Sequence, residues 1–303
     1  MDAPSPPGGA PIPILLNESA GSGPKAEEVE QEFRTAGLDP RVEIVPPEAL
    51  SERIRALVGA PRIAVAGGDG SMQTAAAALR GTASVLIPIP AGHLNHFARR
   101  LGIDSSAAAA AAAANPTTGT APIGIVRAGD EERVFLNTAV VGAYPDIIRL
   151  RERMRRFIGI WPAATVAGLW VWARWPLFDL VLRSEDFVVR HRTAMLWIGT
   201  GAGTFPAPHE APLPEPGGGL EFVVLPSGRR RNALRLFRSL WARRRGEGPE
   251  TVGLEVLRSS EVEIDSHHHI QLTLDAEAVT LTAPVRVSLQ ENCLRVALLP
   301  APV

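Results

Sequence analysis

The stretch Val65-Ala66-Gly67-Gly68-Asp69-Gly70-Ser71 decides how this chain is read. It closes the apolar run Arg62–Ala66 and leads into the helical pattern Met72–Leu79, so it reads as a strand, a glycine turn and a helix start. Three glycines let backbone come close to a ligand, and amides at a helix N-terminus point at anions such as phosphates. A carboxylate inside that loop repels phosphate unless a metal ion lies between them. Asp69 therefore points to a magnesium–nucleotide site, with a plain tight turn as the alternative reading of the same residues.

Ile14–Leu16, Val42–Val45 and Ser84–Ile89 are further short strands bounded by Gly or Pro. Between them lie helical patterns at Pro24–Ala36, with Pro24 at its first position, and at Ser51–Val58. Alternating strands and helices predict an α/β domain with a parallel sheet, whose ligands bind at the carboxyl ends of the strands. Two more loops fall at such ends: Leu16–Gly23, containing Asn17, and Pro88–Arg99, containing Gly92, His93 and Asn95. Asp104 is expected to cap a helix through the alanine run Ala107–Ala114, which reads as helix-forming filler.

After Pro122 the character changes to short strand-like runs, among them Ile123–Val126, Arg133–Val141, Val252–Arg258, Ile270–Asp275 and Val285–Leu289. They predict an all-β sandwich interrupted by helical segments near 144–175 and 230–245. The expected layout is a flexible leader over 1–12, a nucleotide-binding α/β domain over 13–121, a β-sandwich substrate domain over 122–290, and a C-terminal strand over 291–303 that can return to the first domain.

With 303 residues, 46% hydrophobic and 21% charged, the chain has material for two cores. Its 31 basic and 32 acidic residues leave no global field to recruit nucleic acid, so none is expected as a partner. The lone Cys293 excludes an internal disulfide and a zinc cage, and reads as a buried small hydrophobe. The first residues show neither a basic nor a continuous apolar region, so a cytoplasmic chain is expected. Phe157–Ala173 is uncharged over 17 residues but holds Pro162 and Gly168, which argues against a spanning helix.

Together the three loops resemble the diacylglycerol kinase catalytic domain family, in particular bacterial soluble lipid kinases related to sphingosine kinases and more remotely to NAD kinases. In that family they read roughly N-P-x-S-G, G-G-D-G-T and P-x-G-T-x-N-D-F-A-R. Phe135 to Pro145 is similar to the family's F-x-N-x-x-S-x-G-x-Y-P, Arg151-Glu152 to the R-E that follows, and Leu274-Asp275-Ala276-Glu277 to its L-D-G-E. The resemblance implies an α/β domain followed by a β-sandwich, a kinase using ATP and Mg2+, and a lipid hydroxyl such as that of diacylglycerol as acceptor. It implies that Gly67, Gly68, Asp69, Gly70 and Ser71 hold the ATP phosphates, that Asn17, Gly92, His93 and Asn95 line the same site, that Asp69 meets the metal through Mg-ATP, and that Glu277 is the general base.

The sequence departs from the pattern at His93, His96, Pro122, Gly217 and Ala276. The alternative function is therefore a catalytically weak or inactive lipid- or nucleotide-binding protein on the same fold. Arginines from Arg149 to Arg156 precede Trp161, Trp170, Trp172 and Trp175, and Arg229–Arg245 places eight arginines beside apolar residues at helical spacing. Such stretches fit peripheral contact with an anionic membrane surface; solvated structural helices are the plainer reading. His267-His268-His269 reads as a polar strand edge, since alternate residues face opposite sides.

Overall fold

In a computed structural model the described residues are 10–20, 23–142, 177–201, 217–225, 255–266, 269–275 and 277–300, with isolated residues between 150 and 170. The chain divides into two compact units. One comprises residues 1–123, 208–217 and 290–303, and the other residues 124–207 and 218–289.

The first unit alternates β1 (Ile12–Asn17), α1 (Ala26–Thr35), β2 (Pro40–Val45), α2 (Pro47–Ala56), β3 (Arg62–Gly67), α3 (Asp69–Leu79) and β4 (Val85–Pro90), then α4 (His96–Arg100) and α5 (Ser106–Ala114). Its strands are parallel in the order β2-β1-β3-β4. The end of β16 (Val285–Ala297) lies parallel to β4 through Val296 and Leu86. Ile63 to Ala66 on β3 are fully buried, the mark of a parallel strand covered on both faces. Val29 and Phe33 of α1, Leu50 and Ile54 of α2, and Met72, Ala75, Ala76 and Leu79 of α3 supply buried helix faces. Burying side chains such as Phe33 and Ile54 contributes about 1.5–3 kcal/mol each.

The second unit contains β6 (Glu131–Phe135), β7 (Thr138–Gly142), β8 (Phe178–Arg183), β9 (Val188–Thr193), β10 (Met195–Gly199), β11 (Leu220–Val224), β12 (Glu255–Ser259), β13 (Glu261–Asp265), β14 (His269–Leu274) and β15 (Glu277–Thr282). The strand β5 (Thr118–Ala128) pairs with β6 from Gly124 onward. One antiparallel sheet has the order β12-β11-β10-β7-β14-β15, and β8 and β13 join β9 and the first part of β16 in another. Alternate residues of both sheets share one core: Leu180, Leu182, Val262, Ile264, Val285 and Val287 from one, Leu196, Ile198, Phe222, Ile270 and Leu272 from the other. That is the sandwich expected from the period-two runs.

Several local readings change. Helix α1 starts at Ala26 with Lys25 as its N-cap, so Pro24 lies before the helix. Helix α2 begins at Pro47, because proline at the first position lacks only a hydrogen bond the helix would not make. The run Arg133–Val141 is two strands, β6 and β7, broken at Leu136-Asn137. Conversely, Val285–Leu289 and Cys293–Leu299 are one strand through residue 297, passing Asn292 at φ 51°. The alanine run is packing surface rather than filler: Ala109, Ala110, Ala112 and Ala113 are buried, and α5 lies on α1 and β4. The expected helical segments near 144–175 and 230–245 fall almost wholly outside the described residues, as do His267 and His268.

The cap of α5 is Ser105, not Asp104. The Ser105 hydroxyl accepts the Ala108 amide at 3.2 Å, while Asp104 is exposed one residue earlier. Ser105→Ala should lower unfolding free energy by about 1 kcal/mol, while Asp104→Ala stays within about 0.5 kcal/mol. Urea titration of both variants checks this, and equal losses would return the cap to Asp104.

Candidate functional site

Parallel register sets the site. Leu16 of β1 lies opposite Ala66 of β3, and Gly67 opposite Pro90 of β4, so the loops leaving these three strands start side by side. Asn17 Nδ2 donates to Ser71 Oγ at 2.8 Å, and Asn17 Oδ1 accepts the Ser19 amide at 2.9 Å. The Ala91 amide donates to the Gly67 carbonyl at 3.0 Å. A Cβ at Gly23 would lie 2.5 Å from Ala91 Cβ, and one at Gly92 would lie 2.6 Å from Gly68 Cα. Glycine at 23 and 92 therefore answers to close approach between loops, which no side chain could survive unmoved.

Asn95 sits in the left-handed region at φ 51°, which asparagine tolerates better than most residues. Its Oδ1 accepts the Gly92 amide at 2.9 Å and its Nδ2 donates to the Gly92 carbonyl at 2.7 Å. The side chain thus closes the third loop on itself. Asp69 bridges the second loop to the third, its Oδ1 accepting the Phe97 amide at 3.3 Å. The carboxylate takes the place of the cap that α4 lacks, since Asn95 makes no side-chain capping bond. Burial pushes the Asp69 carboxyl above its ordinary value, opposed by the amides of Phe97, His96 and Asn95 and by the Arg99 guanidinium.

Gly70 is different from its neighbours. It is exposed, and nothing lies within 4 Å of where its Cβ would stand. His93 and Leu94 are exposed on the third loop. A helix start, glycine-lined backbone and open space beside Gly70 form a cradle of the kind that takes phosphates.

Residues 11–127 match the diacylglycerol kinase catalytic domain. The resemblance drawn from the three loops agrees with that match, which spans all of them. In three dimensions the chain is similar to a crystal structure of a diacylglycerol kinase from Bacillus anthracis str. Sterne, with a TM-score of 0.69 at 17% identity over 96% of this chain and 98% of that one. Two further solved structures from the same organism, named for the same activity, give 0.71 and 0.70 at the same identity and coverage. At that identity the likeness shows the fold: an α/β domain with a largely parallel sheet, then antiparallel all-β structure.

The structure thus brings Asn17, Gly67 to Ser71, Gly92 and Asn95, all within the matched residues 11–127, together. Glu277 lies in the other unit, exposed at the start of β15 and paired with Leu274. Sequence reasoning missed α4, whose five residues are too few to show a helical period, and with it the capping by Asp69. It also missed Glu291, whose Oε1 accepts the amide of Gly217, a position where the sequence departs from the family pattern, at 2.7 Å. Cys293 is buried as expected; its Sγ donates to the Gln290 carbonyl at 3.1 Å, and burial pushes the thiol up. Among the described residues no cluster of three or more His, Cys, Asp or Glu could hold a metal. None of the described helices is long and apolar enough to cross a membrane.

A carboxyl whose folded pKa is raised binds its proton more tightly in the native state. Its contribution to stability is complete below the ordinary carboxylate value and is lost as pH rises through the raised one. Asp69→Asn should therefore raise the thermal midpoint at pH 7, by an amount that shrinks toward pH 3. A gain that stays the same at both pH values would mean that burial of the charge is not its source.

Proposed function

We propose that the protein is an ATP- and Mg2+-dependent kinase that phosphorylates a hydroxyl of diacylglycerol or a related lipid. The observation that carries this reading is the cradle itself: α3 starts at the converged loops, glycine keeps its walls thin, and Gly70 faces open space. The amides of residues 68 to 71 would receive the ATP phosphates, with Asn17, Gly92, His93 and Asn95 around them. Asp69, at the mouth of the cradle, is the carboxylate that would hold magnesium against those phosphates. When bound, magnesium screens the charge on the transferred phosphoryl group. Glu277, from the second domain, would accept the proton of the attacking hydroxyl, and its exposure leaves it accessible to a substrate.

In this reading residues 13–121 bind nucleotide and residues 122–290 take the lipid. The chain works in the cytoplasm, at the membrane surface that holds its substrate. Val166 and Trp170, four residues apart, are both exposed, as is Phe157. Exposed aromatic and aliphatic side chains beside arginines suit an anionic lipid interface.

Transfer of labelled phosphate from ATP to dispersed diacylglycerol tests the activity. Gly70→Ala is the sharpest variant, because alanine favours a helix over glycine by about 0.5–1 kcal/mol and meets no neighbour in the fold. It should be as stable as the parent or more so, yet bind ATP more weakly. Glu277→Gln should lower turnover about 10²–10⁴-fold with ATP affinity kept. Undiminished ATP binding in Gly70→Ala would move the phosphates elsewhere, and equal loss of nucleotide binding in Glu277→Gln would remove it from proton transfer.

For the membrane, sedimentation with phosphatidylglycerol vesicles should fall as salt rises. The triple change of Arg243, Arg244 and Arg245 to Gln should weaken it by roughly 1 kcal/mol per charge at the surface. Binding indifferent to both would leave those arginines as solvated structural residues.

A further inference from the structure

Strands β14 and β15 are joined by the shortest of hairpin links. Leu274 pairs with Glu277, and Asp275 follows β14 directly in the link between them. Asp275 stands there at φ 45°, a backbone setting that a short polar side chain makes bearable by bonding to nearby backbone. Its carboxylate reaches out of the turn to the break between β6 and β7. Oδ2 accepts the Leu136 amide at 2.5 Å, and Oδ1 accepts the amides of Asn137 and Thr138 at 2.8 and 2.9 Å. The Asp275 amide in turn donates to the Thr138 carbonyl at 2.9 Å.

The same break is held from another side. Thr200, just past β10, donates from Oγ1 to the Leu136 carbonyl at 2.8 Å and from its amide to the Asn137 carbonyl at 3.1 Å. Asn137 and Thr200 are buried to 1% and 0% exposure, so these bonds work away from water, where breaking one leaves an unsatisfied group. The turn that delivers Glu277 is therefore bolted to a buried knot of three chain segments. Because side chains alternate along a strand, the direction in which Glu277 projects is set by the first residues of β15, and these follow the Asp275 turn directly.

We propose that Asp275 is a positioning residue that aims Glu277 at the acceptor hydroxyl by locking the β14–β15 turn onto residues 136 to 138. This rests on the reading of Glu277 as general base. Both Asp275 oxygens already face backbone N–H donors, so taking a proton itself would mean giving up one of those bonds. Glu277, exposed two residues on, has no such engagement to break.

A double-mutant cycle on the full chain separates the roles. Asp275→Asn keeps size and shape but sets an amide N–H where the knot supplies only donors. It should speed hydrogen exchange at Leu136, Asn137 and Thr138, and lower kcat for diacylglycerol about 10–100-fold, the scale of a displaced catalytic group, with the KM for ATP within about twofold. In the Glu277→Gln background the same change should cost no further rate. If Asp275→Asn does not fold, Thr200→Val, which removes the hydroxyl bonded to the Leu136 carbonyl in the same knot, is read for the same non-additivity. Multiplicative losses in an active enzyme would overturn positioning and make Asp275 a chemical participant, while unchanged exchange at 136 to 138 would remove the lock. A parent enzyme that transfers no phosphate to diacylglycerol overturns the kinase reading and this proposal with it.

Discussion

The approach of Gly92 to Gly68 is the constraint on which the first unit's upper end is built. Pairing of β3 with β4 sets Gly67 opposite Pro90, so the chains leaving the two strands run beside each other with no room for a Cβ at residue 92. Everything around that contact keeps it closed. Ala91 bonds back to Gly67, Asn95 ties both polar atoms of its side chain to Gly92, and Asp69 crosses to the start of α4. Had either strand slipped by one residue, these partners would face opposite sides of the sheet.

That closure has an electrostatic cost. Asp69 is pushed toward its protonated form by burial more strongly than the neighbouring amides favour its charge. An asparagine would accept the Phe97 amide without carrying a buried charge, so capping α4 does not by itself explain a carboxylate at this position. In the proposed reading, a cation brought to Asp69 would account for a negative charge kept in so unfavourable a place. Perturbed groups of this kind concentrate where chemistry is done.

The same pattern governs what could be read from the residues. The parallel sheet and the sandwich were legible because buried strands leave continuous or alternating apolar runs, as at Ile63–Ala66 and Ile270–Leu274. The loops were legible as strand-end turns because their glycines cluster there, while a plain tight turn remained an equal reading of the second. Helix α4 was not, since a five-residue helix has no period and its capping carboxylate comes from 27 residues before its first residue, His96. The break at Leu136-Asn137 was hidden for a related reason: it interrupts a run that reads as one strand, and the residues that hold it, Thr200 and Asp275, are distant in sequence. Long-range polar bonds decide such places, and composition within a window carries no trace of them.

Glycine at 92 and glycine at 70 look alike in the sequence but not in the fold. The first is required by the protein itself, because any side chain would collide with Gly68. The second stands in the opening turn of α3 with free space around it, where alanine would give a more stable helix. A residue that weakens its own helix and relieves no internal crowding is explained by something that passes close to it from outside. The open side of Gly70 lies next to Asp69, whose charge is equally unexplained by the folded chain alone. In the proposed reading a metal-bound phosphate chain would meet both residues at once, Gly70 by the space it leaves and Asp69 by the charge it keeps.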